Sequence, residues 1–304
     1  MQSPPVIDIQ QLFRRYGRTE AVNGLSLAVQ PGRCYGFFGR NGAGKTTTIK
    51  CLLNLLKPNS GKVKLFGVDA SKDDVAVKQR IAYVPDQVAF YPWMTIRQTL
   101  GYLASFRKKW NVSLEENLLK RFDLKVSQKA NDLSRGQKAQ LALIAAVCCE
   151  PQLLVLDEPT SGLDPLVRRE FIRTVIGAFQ EEDPENRTIF ISTHLISEFE
   201  GLIDEFTLVD QGKAILSAEA DQARQCFQKI RVRFTGEPAK IAFPEMLTSE
   251  RQGREMEFVV RENAEKIVDK LKHYSPESII QESLSLEEIF LVSVERRGYE
   301  GATA

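Results

Sequence analysis

A glycine-rich loop that ends in a lysine and a hydroxyl carries the strongest chemical signal in this sequence. Gly39, Gly44, Lys45 and Thr46 occupy the required places of the pattern G-x-x-x-x-G-K-[ST]. Glycines let successive backbone N–H groups turn towards phosphate oxygens, which a Cβ would obstruct. The lysine would reach the outer phosphates and the threonine hydroxyl would coordinate Mg²⁺. The loop therefore predicts a nucleotide-binding site.

The segments that flank the loop supply the context that the pattern requires. A buried strand is predicted over residues 34–38 and a helix over residues 46–56. The positive N-terminal end of that helix would strengthen the same anion site, which argues against a chance glycine turn. The candidate nucleotide-binding residues of the loop are Gly39, Arg40, Asn41, Gly42, Ala43, Gly44, Lys45, Thr46 and Thr47.

A pair of carboxylates marks a second place where chemistry could occur. Asp157 and Glu158 directly follow the apolar segment 153–156, which predicts a buried strand. Such a strand end can place one carboxylate on Mg²⁺ and the next on an attacking water molecule. Asp157 is therefore a candidate metal ligand together with Thr46, and Glu158 is a candidate general base. Taken alone, the pair could also be a solvated loop.

Further segments follow in a set order along the chain. Residues 133–137, Leu-Ser-Arg-Gly-Gln, open a helical stretch, residues 161–164 follow the carboxylates, and His194 ends the strand predicted over 188–193. With the loop and the acidic pair, this order and spacing resemble the nucleotide-binding subunit of an ABC transporter. The resemblance covers roughly residues 5–217. One such motif can arise by chance, whereas the whole set in this order points to the family.

The resemblance implies a shared site between two copies. Two chains would stack head to tail with two ATP molecules, each bound with Mg²⁺, between them. Ser134 and Gly136 would contact the γ-phosphate held by the other copy, and Asp164 would bridge to the opposing copy. Because the chain holds one loop and one such signature, its partner is a second copy of itself or a homologous ATPase subunit.

The same resemblance assigns roles to two more residues. His194 would contact the γ-phosphate and Glu158, so the candidate catalytic residues are Glu158, His194 and Lys45. Tyr16, a few residues after the first predicted strand, would stack on adenine, although stacking on a base is open to any aromatic ring. Ser134 has an alternative role, because a serine at this place can also cap the following helix.

Two positions depart from the usual pattern of the family. Arg135 stands where glycine is usual; its side chain either strengthens γ-phosphate binding or points to solvent, and we expect the second. The glutamine that usually senses Mg²⁺ and the attacking water corresponds to Asp86, and Gln87 is the next residue. Both residues are therefore candidate metal ligands, and the sequence does not decide between them.

Composition and charge limit the other possible functions. The chain has 304 residues, and 43% of them are hydrophobic. Its 41 basic and 40 acidic residues give a net charge of +1. Because there is no excess of basic residues, we do not expect the protein to bind nucleic acid. Its start lacks a signal-peptide profile, and its most apolar stretch, residues 141–149, is too short to cross a bilayer. We expect a cytoplasmic protein that reaches the inner face of the cell membrane through integral membrane permease subunits.

The predicted fold is α/β, a P-loop NTPase of the ABC type with a parallel core sheet, an antiparallel β subdomain and a helical insertion. Residues 1–217 form the ATPase domain, with the helical subdomain at about 87–150 and Thr95 as a helix N-cap. Residues 218–304 form a small C-terminal α+β domain, which is either an accessory, regulatory unit or a packing extension. Its segment 285–290 is similar to the ending of subunits that serve exporters.

Residues 90–94 form a short apolar, aromatic segment bounded by polar residues. Such a segment can belong to the core, but exposed aromatic residues often mark protein contacts. In the resembled family, this region receives the membrane subunit. We therefore expect Tyr91, Trp93 and Met94 to form part of that docking surface.

A second class of function is a soluble ABC-type ATPase that acts on ribosomes or DNA. DNA-organising relatives carry a long coiled coil between loop and signature, repair-type relatives carry zinc-binding cysteine pairs, and translation-type relatives carry two cassettes. None of these features occurs in the sequence. A third class, an ATP-gated scaffold without catalysis, is disfavoured by the intact Glu158. The sequence therefore favours the transporter subunit.

Overall fold

The computed structural model describes residues 4–72, 75–180, 185–236, 241, 243 and 245–302. Two compact units are present: Met1–Leu195 with Leu202–Ala214, and Ile196–Gly201 with Ile215–Ala304. The strands and helices are, in chain order, β1 (Ile7–Tyr16), β2 (Thr19–Val29), β3 (Cys34–Gly39), α1 (Lys45–Leu52), β4 (Ser60–Leu65), β5 (Val68–Asp69), α2 (Val75–Gln79), β6 (Ile81–Val84), α3 (Ile96–Ala104), α4 (Val112–Arg121), α5 (Arg135–Val147), β7 (Leu153–Asp157), α6 (Pro165–Gln180), β8 (Thr188–Thr193), α7 (Ile196–Phe199), β9 (Glu205–Asp210), β10 (Lys213–Glu219), α8 (Ala220–Cys226), β11 (Phe227–Arg233), β12 (Met246–Gln252), β13 (Glu255–Arg261), α9 (Ala264–Lys272), β14 (Ser278–Ser283) and α10 (Leu286–Ala302).

The strands of the first unit belong to two sheets. An antiparallel sheet has the strand order β2-β1-β4-β5, and a six-stranded sheet has the order β10-β9-β3-β8-β7-β6. Within the larger sheet, β3 pairs in parallel with β8 and β9, and β7 pairs in parallel with β6 and β8. The α/β fold with a parallel core sheet and an antiparallel β subdomain is therefore confirmed.

The parallel pairing of the strands brings the candidate site residues to one edge of the sheet. Phe38 lies beside Thr193, and Asp157 lies beside Ser192. In a parallel sheet, the carboxyl ends of neighbouring strands meet at one edge, where ligands bind. The loop after β3, the acidic pair at the end of β7 and the residue after β8 therefore emerge side by side.

The central strands hold this edge in place because they are buried on both faces. All residues of β3, β7 and β8 are buried, as expected for parallel strands covered by helices on each side. Phe190 stacks on Tyr35 and contacts Phe37, with ring centroids 5.8 Å and 5.4 Å apart. The hydroxyls of Tyr35 and Thr207 are hydrogen-bonded at 2.6 Å, so the polar atom of this buried ring has a partner.

Helical periodicity in the sequence extends over residues 95–122, and the structure forms two separate helices there. The first, α3, ends at Ala104, and the side chain of Asn111 caps α4 by accepting a hydrogen bond from the N–H of Leu114 at 2.9 Å. The sequence pattern places Phe106 on the same buried face as Ile96, but Phe106 lies beyond the end of α3 and is 59% exposed. The expectation for Phe106 was wrong because helical periodicity stops where the helix ends.

The second unit contains an antiparallel sheet with the order β12-β13-β11-β14. Helix α9 contributes Ile267 and Leu271 to a core shared with Ile230 and Phe258. The α+β character of this part of the chain is therefore confirmed, although β12 and β14 were not predicted.

In the part of the chain that the structure describes, none of the helices combines the length and the apolar character that crossing a bilayer requires.

Thr95 is confirmed as the N-cap of α3. Its hydroxyl accepts a hydrogen bond from the N–H of Gln98, and the side-chain oxygen of Gln98 accepts one from the N–H of Thr95. We predict that Thr95→Ala lowers the free energy of opening of α3 by about 1 kcal/mol, because one orphan N–H loses its acceptor. Amide hydrogen exchange of α3 should then be about fivefold faster. Thr95→Ser, which keeps the hydroxyl, is the control, and unchanged exchange in Thr95→Ala would contradict the role of the cap.

Candidate nucleotide-binding site

The loop between β3 and α1 requires glycine for steric reasons at two positions. Gly44, which precedes α1, has φ of 99°, and a Cβ there would lie 2.0 Å from the carbonyl oxygen of Ala21. A Cβ on Gly39 would lie 2.4 Å from the carbonyl oxygen of Val209. Both distances are far shorter than van der Waals contact, so the loop closes against its neighbours only because these side chains are absent. The first N–H groups of α1 then line an anion-binding turn.

Lys45 is 5% exposed, and its ammonium group is surrounded by oxygen atoms. It donates hydrogen bonds to the carbonyl oxygens of Gly39 at 2.8 Å and Arg40 at 3.2 Å. Its Nζ also lies 2.9 Å from Oε1 of Glu158. The first two contacts are hydrogen bonds, and the third is an ion pair that does not meet hydrogen-bond geometry. The cation is therefore held at the mouth of the loop by oxygen atoms of its own chain.

Asp157 and Thr46 form the part of the site that could hold a cation. Thr46 Oγ1 donates a hydrogen bond to Oδ1 of Asp157 at 3.2 Å, whereas none of the donors in the described residues meets hydrogen-bond geometry at the buried Oδ2. Burial raises the pKa of Asp157, and this effect outweighs the opposing influence of the Thr46 and Ser192 hydroxyls. A buried carboxylate with a free oxygen, next to a hydroxyl, is a set of hard oxygen donors that suits Mg²⁺.

Glu158 lies at a backbone turn that redirects its side chain. Its φ is 48°, in the left-handed region that non-glycine residues rarely adopt, and its N–H donates to the carbonyl oxygen of Ser192 at 2.7 Å. Such a conformation costs of order 1 to 3 kcal/mol and persists only where surrounding contacts fix it. The turn sends the carboxylate back towards Lys45 rather than into solvent, and Glu158 is 9% exposed.

The second carboxylate oxygen of Glu158 is held by the end of β8. Oε2 lies 2.8 Å from Nδ1 of His194 and accepts hydrogen bonds from the Thr193 hydroxyl at 3.2 Å and the His194 N–H at 3.3 Å. Thus Lys45, Glu158 and His194, the three candidate catalytic residues, form one continuous network. Thr193 is a contributor that the sequence analysis missed; a hydroxyl at the end of an otherwise apolar strand was its only signal.

Tyr16 lies at the end of β1 and is 47% exposed. The guanidinium of Arg14, on the same face of the strand two residues earlier, stacks over its ring with Cζ 4.8 Å from the centroid. Arg14 is itself held by a hydrogen bond from Nη1 to the carbonyl oxygen of Lys57 at 3.0 Å. The ring is therefore supported, and Arg14 is a second residue that the sequence analysis did not single out.

The signature segment forms the start of α5. Ser134 is the N-cap: its hydroxyl accepts from the N–H of Gln137 at 3.2 Å, and the Gln137 side chain accepts from the N–H of Ser134 at 3.0 Å. A Cβ on Gly136 would approach a methyl group of Val167 to 3.3 Å, so this position is closely packed against α6. Ser134 is exposed, so the capping role and contact with a phosphate of another chain are compatible.

Asp164 also caps a helix. Its Oδ1 accepts hydrogen bonds from the N–H groups of Leu166 and Val167, each at 3.1 Å, at the start of α6. The residue is exposed. Within the chain it therefore fixes the loop between β7 and α6, and its free surface faces outwards.

Asp86 and Gln87 line a cleft of about 380 Å³ together with Glu158, Ser161, Arg135 and Lys138. Asp86 is half-buried and Gln87 is exposed. The carboxylate of Asp86 contributes to the raised pKa of Asp157, so the two acidic groups are close enough to repel. Arg135 is 59% exposed at its side chain, but it does not simply point to solvent, because Nη2 lies 3.6 Å from Oδ1 of Asp86.

This geometry defines a P-loop nucleotide hydrolase, and comparison with known proteins identifies the family. Residues 22–161 match the family described as ABC transporter. The bacitracin transport ATP-binding protein BcrA of Bacillus licheniformis is 35% identical over 222 residues, covering 72% of this chain and 72% of that protein. The Nod factor export ATP-binding protein I of Burkholderia lata is 36% identical over 217 residues, covering 69% of each chain.

A solved structure described as the ATP-binding subunit of an ABC transporter shares the fold. It is 25% identical with a TM-score of 0.65, and the match covers 72% of this chain and 92% of that one. The chain belongs to the ATP-binding subunits of ABC transporters. It is a nucleotide-binding ATPase whose hydrolysis of ATP drives transport.

We predict that Lys45→Ala weakens ATP binding by about tenfold to a hundredfold, because a charged hydrogen-bond donor to the phosphates is lost. Titration calorimetry with ATP would measure the dissociation constant. Lys50→Ala is the matched control, since it removes an exposed lysine from the same helix. An unchanged dissociation constant in Lys45→Ala would show that the loop does not bind phosphate.

Proposed function

We propose that this chain binds and hydrolyses Mg²⁺·ATP as one half of a head-to-tail dimer, and that the dimer acts on separate membrane-spanning subunits. The observation that carries the proposal is the convergence of Lys45, Glu158, His194 and the Thr46–Asp157 pair at one edge of the parallel sheet. These residues come from three segments that are far apart in sequence. The proposed location is the cytoplasmic face of the cell membrane.

Thr46 and Asp157 would hold Mg²⁺, and Asp86 or Gln87 would complete the set from the cleft beside Glu158. The buried Oδ2 of Asp157 supports this assignment, because it has no hydrogen-bond partner among the described residues and an unpaired buried polar atom is costly. When bound, the metal ion would neutralise charge on the β- and γ-phosphates. The ligand atoms at the site also fit Mg²⁺, because they are oxygen atoms rather than thiolates.

The chain's own residues divide the remaining work. Lys45 would exchange its contact with Glu158 for the outer phosphates when the nucleotide arrives, which frees a carboxylate oxygen for the attacking water. Glu158 would orient that water or take its proton, and His194 would keep the carboxylate in place. Tyr16, supported by Arg14, would stack on adenine.

The proposal of a dimer is supported by the number of motifs in the chain. The sequence contains one phosphate loop and one signature. Ser134 and Asp164 are both exposed at helix starts, where N–H groups and the positive helix end favour an anion. We propose that Ser134 and Gly136 of one copy contact the γ-phosphate on the other copy, and that Asp164 bridges between them.

An exposed row of aromatic side chains supports docking on a membrane subunit. Tyr91, Trp93, Tyr102 and Phe106 are 46%, 66%, 40% and 59% exposed. Their rings form a chain, with centroids 5.1 Å apart for Tyr91 and Trp93, 5.7 Å for Tyr91 and Tyr102, and 5.0 Å for Tyr102 and Phe106. Contiguous apolar surface of this kind marks a binding site. We propose that this aromatic row, with the half-buried Met94, receives the permease.

The names of two relatives concern the direction of transport. One is named for transport of bacitracin and another for export of Nod factor. We propose that this chain serves an exporter, in agreement with the segment 285–290 at the end of the chain. We also propose that residues 218–304 act as an accessory, regulatory domain.

We predict that Glu158→Gln retains ATP binding but lowers the hydrolysis rate by about 10² to 10⁴, because the general base is lost while the amide keeps the shape of the side chain. The ATP-bound dimer should then accumulate. Light scattering coupled to size-exclusion chromatography at saturating ATP would measure this, with Lys45→Ala as the monomeric control. A monomer of Glu158→Gln under these conditions would rule out the sandwich dimer.

A second prediction concerns the partner. Purification of the tagged protein from mildly solubilised membranes should recover a stoichiometric multi-spanning protein, and Trp93→Ala should reduce that recovery because the largest exposed ring of the row is lost. Tyr274→Ala, which removes an exposed ring from the second unit, is the control. Recovery with ribosomes or DNA instead would favour a soluble ATPase, and full recovery with Trp93→Ala would exclude Trp93 from the docking surface.

A further inference from the structure

Arg135 touches two loops of its own chain. It is the first residue of α5, so its backbone is fixed by the Ser134 cap. Its guanidinium reaches the loop after β6, where Nη2 lies 3.6 Å from Oδ1 of Asp86. It also reaches the loop after β7, where it lies over Gly162. One side chain therefore connects three segments that each carry a candidate site residue.

The contact with Gly162 is close enough to depend on the absence of a side chain. A Cβ at Gly162 would lie 2.6 Å from Nη1, 2.9 Å from Cζ and 3.3 Å from Nε of Arg135. Gly162 also has φ of 70°, a conformation that glycine adopts without strain. The planar guanidinium thus packs on bare backbone two residues before Asp164. This packing explains how an arginine fits at this place.

The charges around Arg135 favour its contact with Asp86. Arg135 lies at the N-terminal end of α5, where the helix is positive and a cation is unfavourable. The first turn of α5 contains no acidic residue, and Lys138 adds a further cation to the same cleft. Asp86 supplies the compensating negative charge.

We propose that Arg135 is a positioning residue of the ATPase, which ties the Asp86 loop and the Gly162 loop to the signature helix within one chain. It does not serve as a phosphate ligand of the opposing copy. The inference deepens the proposed function, because it concerns loops that this function assigns to metal and dimer contacts. Ser134, Asp86 and Asp164 then change position together, since one guanidinium links the loops that hold them.

The partial exposure of the ion pair sets the size of the effect. Pairs between exposed charges change local equilibria only modestly, so loss of Arg135 should loosen the two loops without unfolding the unit. We expect Arg135→Ala to speed amide exchange at residues 86–88 and 160–164 by about twofold to fivefold in the nucleotide-free protein. The hydrolysis rate kcat should fall, while the dissociation constant for ATP at the chain's own loop should stay within about twofold.

Three variants in the full chain separate this role from general stability. Lys138→Ala removes another cation of the cleft and should leave both loops protected. Arg135→Lys keeps the charge but loses the planar guanidinium. Amide exchange should therefore stay slower at residues 86–88 than at residues 160–164 in this variant. The charge exchange Arg135→Asp with Asp86→Arg should restore protection at 86–88 only, because a carboxylate does not pack over Gly162 as a guanidinium does.

The outcomes are distinct. Unchanged exchange in either loop of Arg135→Ala, or an unchanged kcat, would overturn the proposal. Weaker ATP-dependent dimerisation with both loops still protected would overturn it in favour of phosphate binding across the dimer. Failure of the parent protein to bind ATP would instead refute the proposed function, and the nucleotide-free exchange would still test Arg135.

Discussion

The buried ion pair between Lys45 and Glu158 is the interaction on which the site depends. The two groups lie 2.9 Å apart, and both are almost wholly removed from solvent. Removing one partner of such a pair leaves a buried charge, which costs several kcal/mol, so neither residue is stable there without a replacement. The same pair links the loop after β3 to the strand end of β7. Under the proposed function, a phosphate that attracts Lys45 would change the surroundings of Glu158 in the same step, so charge balance would couple binding to catalysis.

The parallel sheet makes this coupling possible. Because β3, β7 and β8 are buried over their whole length and paired in register, their ends cannot shift independently. His194 and Thr193 then hold the second oxygen of Glu158 from the neighbouring strand. The side chains proposed to act on ATP are held by these contacts, and the backbone of the sheet positions them. This is why residues far apart in sequence meet within hydrogen-bond distance.

Much of the core and of the site could be predicted from the sequence, because apolar strands followed by glycines or acids leave strong local signals. Weaker elements were missed for physical reasons. Most residues of β14 are exposed, so it lacks the alternation that predicts a strand, and the end of β12 is polar. The contact of Arg135 with Asp86 and Gly162 joins three segments distant in sequence, and no local pattern encodes it. Likewise, Phe106 followed helical spacing beyond the point where α3 ends.

The left-handed backbone at Glu158 is tied to the charge of Lys45. A glycine at residue 158 would adopt φ of 48° without steric cost, but it would leave the Lys45 ammonium group buried without its anionic partner. The substitution would therefore remove about 1 to 3 kcal/mol of backbone strain and introduce an unpaired buried charge that costs about 3 to 5 kcal/mol. Selection on thermal resistance alone would thus relax this turn only by changing residues 158 and 45 together, and both are proposed to act on ATP. The ion pair therefore protects the strained turn against single substitutions.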